Sequence, residues 1–313
     1  MIEQVPIVVV IPAHNEEEFI LEVIETLPDF VDNIIVVDDH STDGTRVRVS
    51  EVKSTTNLVV ITSKRRGVGA AIDSGFAYAL EQFEQPFICV VVAGDGQMDP
   101  TDMENLVLPI FQGQADYVKG NRKIHVDGLN QMPLHRKVAS SILSVATTLA
   151  SGKPVSDPQC GYCAVSSDVL VSWDFDNSWQ GYGYPNFWLI RLSSFGFRVK
   201  EVPVRSVYNT SISGIRRFPF FLKVGWMMAV EHHRRNFSWL LGSNRTPHTF
   251  FSFMAYVLGW TMFLPFDTAL EIELVNRGVH SFVLGLFSWT IAHIFDRLAR
   301  RTQERMRLNG QRR

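Results

Sequence analysis

Apolar positions in this chain follow two rhythms, and their alternation predicts its first half. Residues 5–11 and 34–37 are β-branched runs too short for helices, and both end in polar punctuation. Residues 57–62 and 87–92 read as a third and a fourth strand. Between the first two runs, Phe19, Ile20, Val23, Ile24 and Leu27 recur at helical spacing, which predicts a helix within 16–27; another helical stretch covers 69–83. Strands alternating with helices imply an α/β fold with a doubly wound, mostly parallel sheet covered on both faces. That pattern predicts a domain over residues 1–213.

The rhythm then changes. Residues 219–242 mix Phe220, Phe221, Leu222, Trp226, Met227 and Met228 with Lys223, Arg234 and Arg235. They read either as an amphipathic helix in a membrane interface or as a core helix packed on the sheet. Residues 249–266 and 279–295 are almost wholly apolar and near the length of a bilayer crossing. Trp260, Trp289 and several Phe fall on all helix faces, leaving no polar face to solvate. The sequence therefore predicts two transmembrane helices. Their connector carries one basic residue, Arg277, whereas the outer flanks carry Arg234, Arg235 and Arg245 on one side and Arg297, Arg300 and Arg301 on the other. The positive-inside rule puts both flanks, and the preceding domain, in the cytoplasm. The expected organisation is a domain over 1–213, an interfacial segment over 214–245, a membrane hairpin over 246–296 and a basic tail over 297–313, a multi-pass membrane protein.

A formal net charge of −2 argues against a general nucleic-acid binder. Cys89, Cys160 and Cys163 are too few for a disulfide framework. Cys160-Gly-Tyr-Cys163 has zinc-knuckle spacing but no second pair, and packing explains it better. No basic region precedes the first apolar run, which therefore reads as a strand and not as a signal peptide.

The chemistry is expected at Val92-Ala-Gly-Asp-Gly-Gln-Met-Asp-Pro100. An apolar run that stops at small residues and one carboxylate, Asp95, delivers an acid to the carboxyl edge of the sheet, where open α/β folds bind ligands. Such a carboxylate can hold a divalent cation, and the cation can neutralise a diphosphate leaving group. Asp39 ends an earlier strand. Asp38 and Asp43 read as turn formers and caps, and Asp99-Pro100 as N-cap plus first helical residue. Arg66-Gly-Val-Gly69 has two glycines of a dinucleotide fingerprint, but Ile72 occupies the third place. Lys64, Arg65 or Arg66 either contacts phosphate or belongs to a solvated basic loop.

Four segments in order, Ile11-Pro-Ala-His-Asn-Glu16, Val36-Val-Asp-Asp-His-Ser-Thr-Asp-Gly-Thr45, Arg66-Gly-Val-Gly-Ala-Ala71 and Ala93-Gly-Asp-Gly-Gln-Met-Asp-Pro100, resemble the inverting family-2 glycosyltransferases of GT-A fold. The nearest branch is that of dolichyl- or polyprenyl-phosphate sugar synthases. The resemblance implies that Pro12, Ala13, Glu16 and Asp39, joined by Arg66 and Gly94, line the nucleotide-sugar. It implies that Asp95, helped by Gln97, holds Mg2+ or Mn2+. Arg122, in Lys119-Gly-Asn-Arg122, and Arg136, after His135, match arginines that grip the acceptor phosphate. Arg122 is the better candidate because its guanidinium can hold two phosphate oxygens, whereas Arg136 also reads as a surface helix residue. Asp157, in Asp157-Pro-Gln-Cys-Gly-Tyr162, matches a base or acceptor-orienting group, and also reads as a loop cap. Tyr182-Gly-Tyr-Pro-Asn-Phe187, Glu201-Val-Pro-Val204 and Ser213-Gly-Ile-Arg216 complete the match. Two departures stand out: Ala93 replaces the first acid of the usual Asp-x-Asp triplet, and Phe187 stands where relatives often carry an acid.

The implied reaction moves a sugar from a UDP-sugar to a polyprenyl or dolichyl phosphate, with inversion, at the bilayer surface. Such a phosphate is already ionised and asks for little base catalysis. One alternative is transfer to a sugar hydroxyl, which needs a general base with Asp157 as the applicant. Another, motivated by Ala93 and Phe187, is a catalytically degenerate nucleotide-sugar-binding scaffold. With two helices and no Gln-x-x-Arg-Trp motif, a processive polymerase is disfavoured.

Overall fold

The computed structural model describes residues 5–52, 56–125, 134–205, 207, 217–263, 268–276, 278 and 280–310. Seven strands, β1 (Ile7–Ala13), β2 (Asn33–Asp38), β3 (Asn57–Thr62), β4 (Ile88–Val91), β5 (Tyr117–Asn121), β6 (Cys163–Ser166) and β7 (Val199–Pro203), form one sheet in the order β3-β2-β1-β4-β6-β5-β7. β1 pairs parallel with β2 and β4, β2 with β3, and β5 with β7. β6 alone is reversed, antiparallel to both β4 and β5. β1 and β4 are buried from end to end, the continuous Val/Ile pattern of strands covered on both faces.

The helices are α1 (Ile20–Glu25), α2 (Thr45–Ser50), α3 (Val68–Gln82), α4 (Met103–Phe111), α5 (Leu134–Ser151), α6 (Ser167–Val171), α7 (Tyr184–Ser194), α8 (Arg217–Leu241), α9 (Pro247–Phe263), α10 (Thr268–Asn276) and α11 (Ser281–Leu308). α1 is shorter than the periodicity over 16–27 predicts. The backbone N–H groups of Asn15, Glu16 and Glu17 donate to Ser41, Thr45 and Asp43 side chains at 3.0, 2.8 and 3.2 Å, and Asn15 is left-handed (φ 57°). These side-chain bonds offer the backbone an alternative to a helical turn.

The chain divides into two compact units. The first holds residues 1–147, 155–189 and 197–227, with the whole sheet; the second holds 148–154, 190–196 and 228–313. In the second, α9 and α11 pack closely because small residues face each other. A Cβ on Gly259 would lie 2.2 Å from the Trp289 ring, and Ser252 Oγ donates to the Ala292 carbonyl at 2.9 Å. Arg235 and Asp296, both buried, form an ion pair at 2.7 Å. Phe250, Phe251, Met254, Leu258, Phe282 and Phe287 point outward, about half-exposed.

The sequence predicts two transmembrane helices; among the described residues one helix, α11, is long and apolar enough to cross a membrane. The described part of α9 has 17 residues. α11 continues past 295 through the basic segment, and α10 occupies most of the expected connector.

Candidate active site

The carboxyl edge of the sheet gathers most of the expected donor residues. Asp39 N–H donates to the Ala13 carbonyl at 2.8 Å, Gly94 N–H to the Pro12 carbonyl at 3.1 Å, and His14 Nδ1 lies 2.7 Å from the Asp39 carbonyl. The ends of β1 and β2 are thereby tied to the Asp95 turn that follows β4. Asp38 accepts from Ser41 N–H at 2.9 Å, and Asp43 from Thr45 N–H at 3.0 Å, the turn-forming and capping roles their types suggest. Asp99 caps its 3-10 turn through Thr101 N–H at 3.0 Å and pairs with Arg205. Arg66 is exposed.

Asp39 is nearly buried, and its two carboxylate oxygens lie 3.0 and 2.8 Å from Gly67 N, sharing that N–H. The glycine loop therefore hangs from the strand-end acid. Its resemblance to a phosphate cradle goes no further. The first N–H groups of α3, on Gly69 and Ala70, donate to the Gln180 carbonyl at 2.8 and 3.2 Å. A Cβ on Gly69 would sit 2.1 Å from the Trp179 carbonyl oxygen, and Gly67 has φ +118°. These glycines let the 179–180 backbone lie on the helix end, where a dinucleotide would need room.

Asp95 Oδ1 accepts Gln97 N–H at 3.0 Å, while the Gln97 side chain is exposed. Ala93 has no acid to offer, and its N–H donates to Met98 Sδ at 3.2 Å. Burial raises the Asp95 carboxyl. Burial, then the charges of Asp95 and Asp43, push Glu16 up to about 7. A carboxyl raised by burial and by neighbouring carboxylates marks a place short of positive charge. Among the described residues no three or more His, Cys, Asp and Glu side chains converge into a metal cage. The donor set fits a hard cation that takes its other ligands from a diphosphate and water.

On the opposite side of β4, Arg122 and Asp157 form a forked ion pair: Nε to Oδ2 at 2.8 Å and NH2 to Oδ1 at 3.0 Å, with Arg122 N–H on Oδ2 at 3.1 Å. The Asp157 side chain is 0% exposed and that of Arg122 30%. Burial works to raise the Asp157 carboxyl, but the Arg122 bonds and charge, with Lys119, outweigh it and hold it at about 2. Such a group is a poor proton acceptor at neutral pH.

The loop bearing Asp157 is braced from three sides. Lys119, fully buried within β5, donates from Nζ to the carbonyls of Asp157 and Cys160, both at 2.6 Å. Glu201 of β7 accepts from Ser156 Oγ at 2.9 Å and from Ser156 N–H at 3.3 Å. Asn121 donates to Ser156 Oγ. Asn186, also buried, accepts from Gln159 and donates to Thr147 Oγ1 at 2.7 Å. Phe187 turns into the core and meets Trp173 edge-on at 6.2 Å, so the missing acid leaves a packing residue behind. Cys160 and Cys163 are buried and unbridged, and among the described residues no metal-binding cluster includes them. Arg136 opens α5, but its side chain lies outside the described residues, as does the segment 213–216.

Sequence reasoning did not find the brace. Lys119 reads as one more cation, and nothing local marks Glu201 or Asn186. The available signal was a lysine inside an apolar strand-like run, Tyr117-Val-Lys, since a buried ammonium must find acceptors.

Residues 8–172 match the family model Glycosyl transferase family 2, and the chain belongs to that family. It is a glycosyltransferase with a GT-A-like, mostly parallel α/β sheet. The chain is 32% identical to UDP-N-acetylglucosamine–dolichyl-phosphate N-acetylglucosaminyltransferase of Methanococcus voltae, over 65% of this chain and 86% of that one. It is 29% identical to undecaprenyl-phosphate mannosyltransferase of Micrococcus luteus, over 64% and 83%. A solved structure of similar fold is glucosyl-3-phosphoglycerate synthase from Mycobacterium tuberculosis, in complex with Mn2+ and UDP-glucose. That likeness has a TM-score of 0.53 and 23% identity, covering 74% of this chain and 79% of that one.

Proposed function

We propose that this glycosyltransferase moves a sugar from a nucleotide-sugar, a UDP-sugar, to a polyprenyl or dolichyl phosphate with inversion. The carrying observation is the state of Asp157: buried, ionised and committed to Arg122. A hydroxyl acceptor needs a group to take its proton; a phosphate monoester arrives already ionised. The relatives named for dolichyl- and undecaprenyl-phosphate support the same acceptor class.

In this reading Asp39, fixed by Gly67, accepts the uracil imide N–H through a remaining lone pair, and Pro12, Ala13, Glu16 and Gly94 wall the nucleotide. Arg122, aimed by Asp157, holds the acceptor phosphate. A phosphate oxygen attacks the anomeric carbon as the bond to the diphosphate breaks, so no proton need be removed. Asp95 and Gln97 would hold Mg2+ or Mn2+, whose chemistry is to offset charge on the departing diphosphate. α8 exposes Leu222 and Trp226, the latter 74% accessible, a face suited to the membrane interface. With α9 and α11 as anchor, the sheet domain lies on the cytoplasmic side.

The test is a panel of radiolabelled nucleotide-sugars incubated with membranes containing the chain, followed by organic extraction. Label in an acid-labile glycolipid is expected. Label only in water-soluble glycans sinks the lipid-phosphate acceptor. Neither transfer nor hydrolysis with any donor leaves the scaffold reading.

A further inference from the structure

The segment 176–183 lies outside the nucleotide motifs and the acceptor arginine, yet it touches both the glycine loop that opens α3 and the helix α8. Towards the donor side, Arg65 donates to the Asp176 carbonyl at 3.3 Å, and Gly69 and Ala70 donate to the Gln180 carbonyl. The neighbouring Gly67 is the residue held by Asp39. Within the segment, Trp179 Nε1 donates to the Tyr182 carbonyl at 2.9 Å, closing the loop on itself. Towards α8, Lys223 Nζ stands 5.5 Å from the centre of the Trp179 ring. Gly183, at φ +93°, packs so closely on Val224 that a Cβ there would lie 2.6 Å from it. Val224 is buried, whereas Leu222 and Trp226 of the same helix face outward.

We propose that Trp179 is a positioning residue for the donor: it relays the placement of α8, through Lys223, to the Asp39–Gly67 nucleotide clamp. This rests on the reading of Asp39 as a nucleotide ligand. A cation over an indole face is attracted to the ring, and the ring's own N–H fixes the turn whose carbonyl caps α3. Loss of the ring lets the 179–180 backbone lift from Gly69, and Gly67 then loses the surface that holds it under Asp39. The effect falls on donor affinity and leaves the acceptor phosphate contact alone.

The experiment measures UDP binding by calorimetry on the full-length protein in detergent, with UDP as the probe. Steady-state transfer kinetics and a melting curve accompany it. Trp179→Ala is expected to weaken UDP about ten-fold and to raise the donor KM in step. At saturating donor its kcat stays within about two-fold of the parent. Lys223→Met, an exposed position that leaves the fold intact, is expected to weaken UDP about two- to five-fold, with Lys223→Arg restoring it. UDP affinities of Trp179→Ala and Lys223→Met within about two-fold of a parent that does bind UDP overturn the relay alone. So does a loss confined to the acceptor KM. A parent that binds no UDP overturns the nucleotide reading and the relay together.

Discussion

Arg122 and Asp157, thirty-five residues apart in sequence, meet as a forked ion pair in which the carboxylate is fully buried and the guanidinium reaches the surface. The asymmetry supports the roles proposed for them. Asp157 cannot reach a ligand without giving up its partner, so it aims Arg122; Arg122 keeps the exposed fraction that an anion can approach. Removing Arg122 should cost about 1.5–3 kcal/mol of acceptor binding, roughly ten- to more than a hundred-fold in the KM for polyprenyl phosphate. Slow hydrolysis of the donor by water should persist. Equal loss of hydrolysis and transfer would move Arg122 to the donor side.

Asp157→Asn tests the aiming role. The amide keeps the shape but not the charge, so the guanidinium loses its guide, and transfer should fall at least about ten-fold through the acceptor KM. An Asp157 acting as base would instead lower kcat at saturating acceptor, and the fall would lessen as pH rises.

The same carboxylate sets a limit on acid stability. Asp157 is depressed from 3.8 to about 2 in the fold. Its contribution of about 2 kcal/mol is complete above pH 4 and disappears as pH falls from about 4 to 2. Denaturant melts of the parent at pH 6, 4 and 2.5 should lose stability mainly in the last interval. Asp157→Asn should show a flatter profile.

Asp95 and Glu16 supply the donor-side test. Asp95→Asn should leave under a tenth of the activity at saturating metal, because a neutral amide cannot supply the charge a hard cation needs. Removal of the Asp95 charge should also lower Glu16 from its value of about 7 towards that of an ordinary carboxyl. Carboxyl-carbon resonances of Glu16 followed against pH would show the movement. A Glu16 that titrates identically in both proteins would mean the two acids do not interact.

Gly69→Ala probes the bed of the 179–180 loop. The added methyl would meet the Trp179 carbonyl oxygen at 2.1 Å, so backbone must move, at a cost of about 1–3 kcal/mol. A melting temperature lowered by several degrees is expected. An unchanged one would mean that the loop yields without cost.

The sheet's first half was legible because β1 to β4 are continuous Val and Ile runs cut off by Pro, Asp and Gly. β5 was not, since Lys119 and Asn121 interrupt its apolar pattern. They are buried there because the Asp157 loop needs a donor from below. Single acids at strand ends announced Asp39 and Asp95, and the Asp-Pro and Asp-Ser-Thr contexts announced the caps. No residue type or local spacing announces that Arg122 and Asp157 touch, because tertiary topology makes that contact. The two glycines of the Arg66–Gly69 loop, which lack the third of a dinucleotide fingerprint, show a related limit. A sequence shows that a backbone must approach closely there, but not whose backbone.

The reversal of β6 has a consequence for the site. Parallel strands reach the working edge of the sheet only at their exits, so the proposed donor residues Asp39 and Asp95 sit in loops that follow β2 and β4. β6 runs the other way, with Cys163 beside Val91, so the loop that enters it arrives at the same edge and carries Asp157. Asp157 thus hangs on the entry of its strand, while Asp39, Asp95 and Arg122 follow the exits of β2, β4 and β5. The entry to β6 nonetheless meets the Asp95 turn, where a Cβ on Gly161 would lie 3.3 Å from Met98. On the proposed assignment, a change in the entry to β6 would alter the aim of Arg122 without changing the strand exits that carry Asp39 and Asp95.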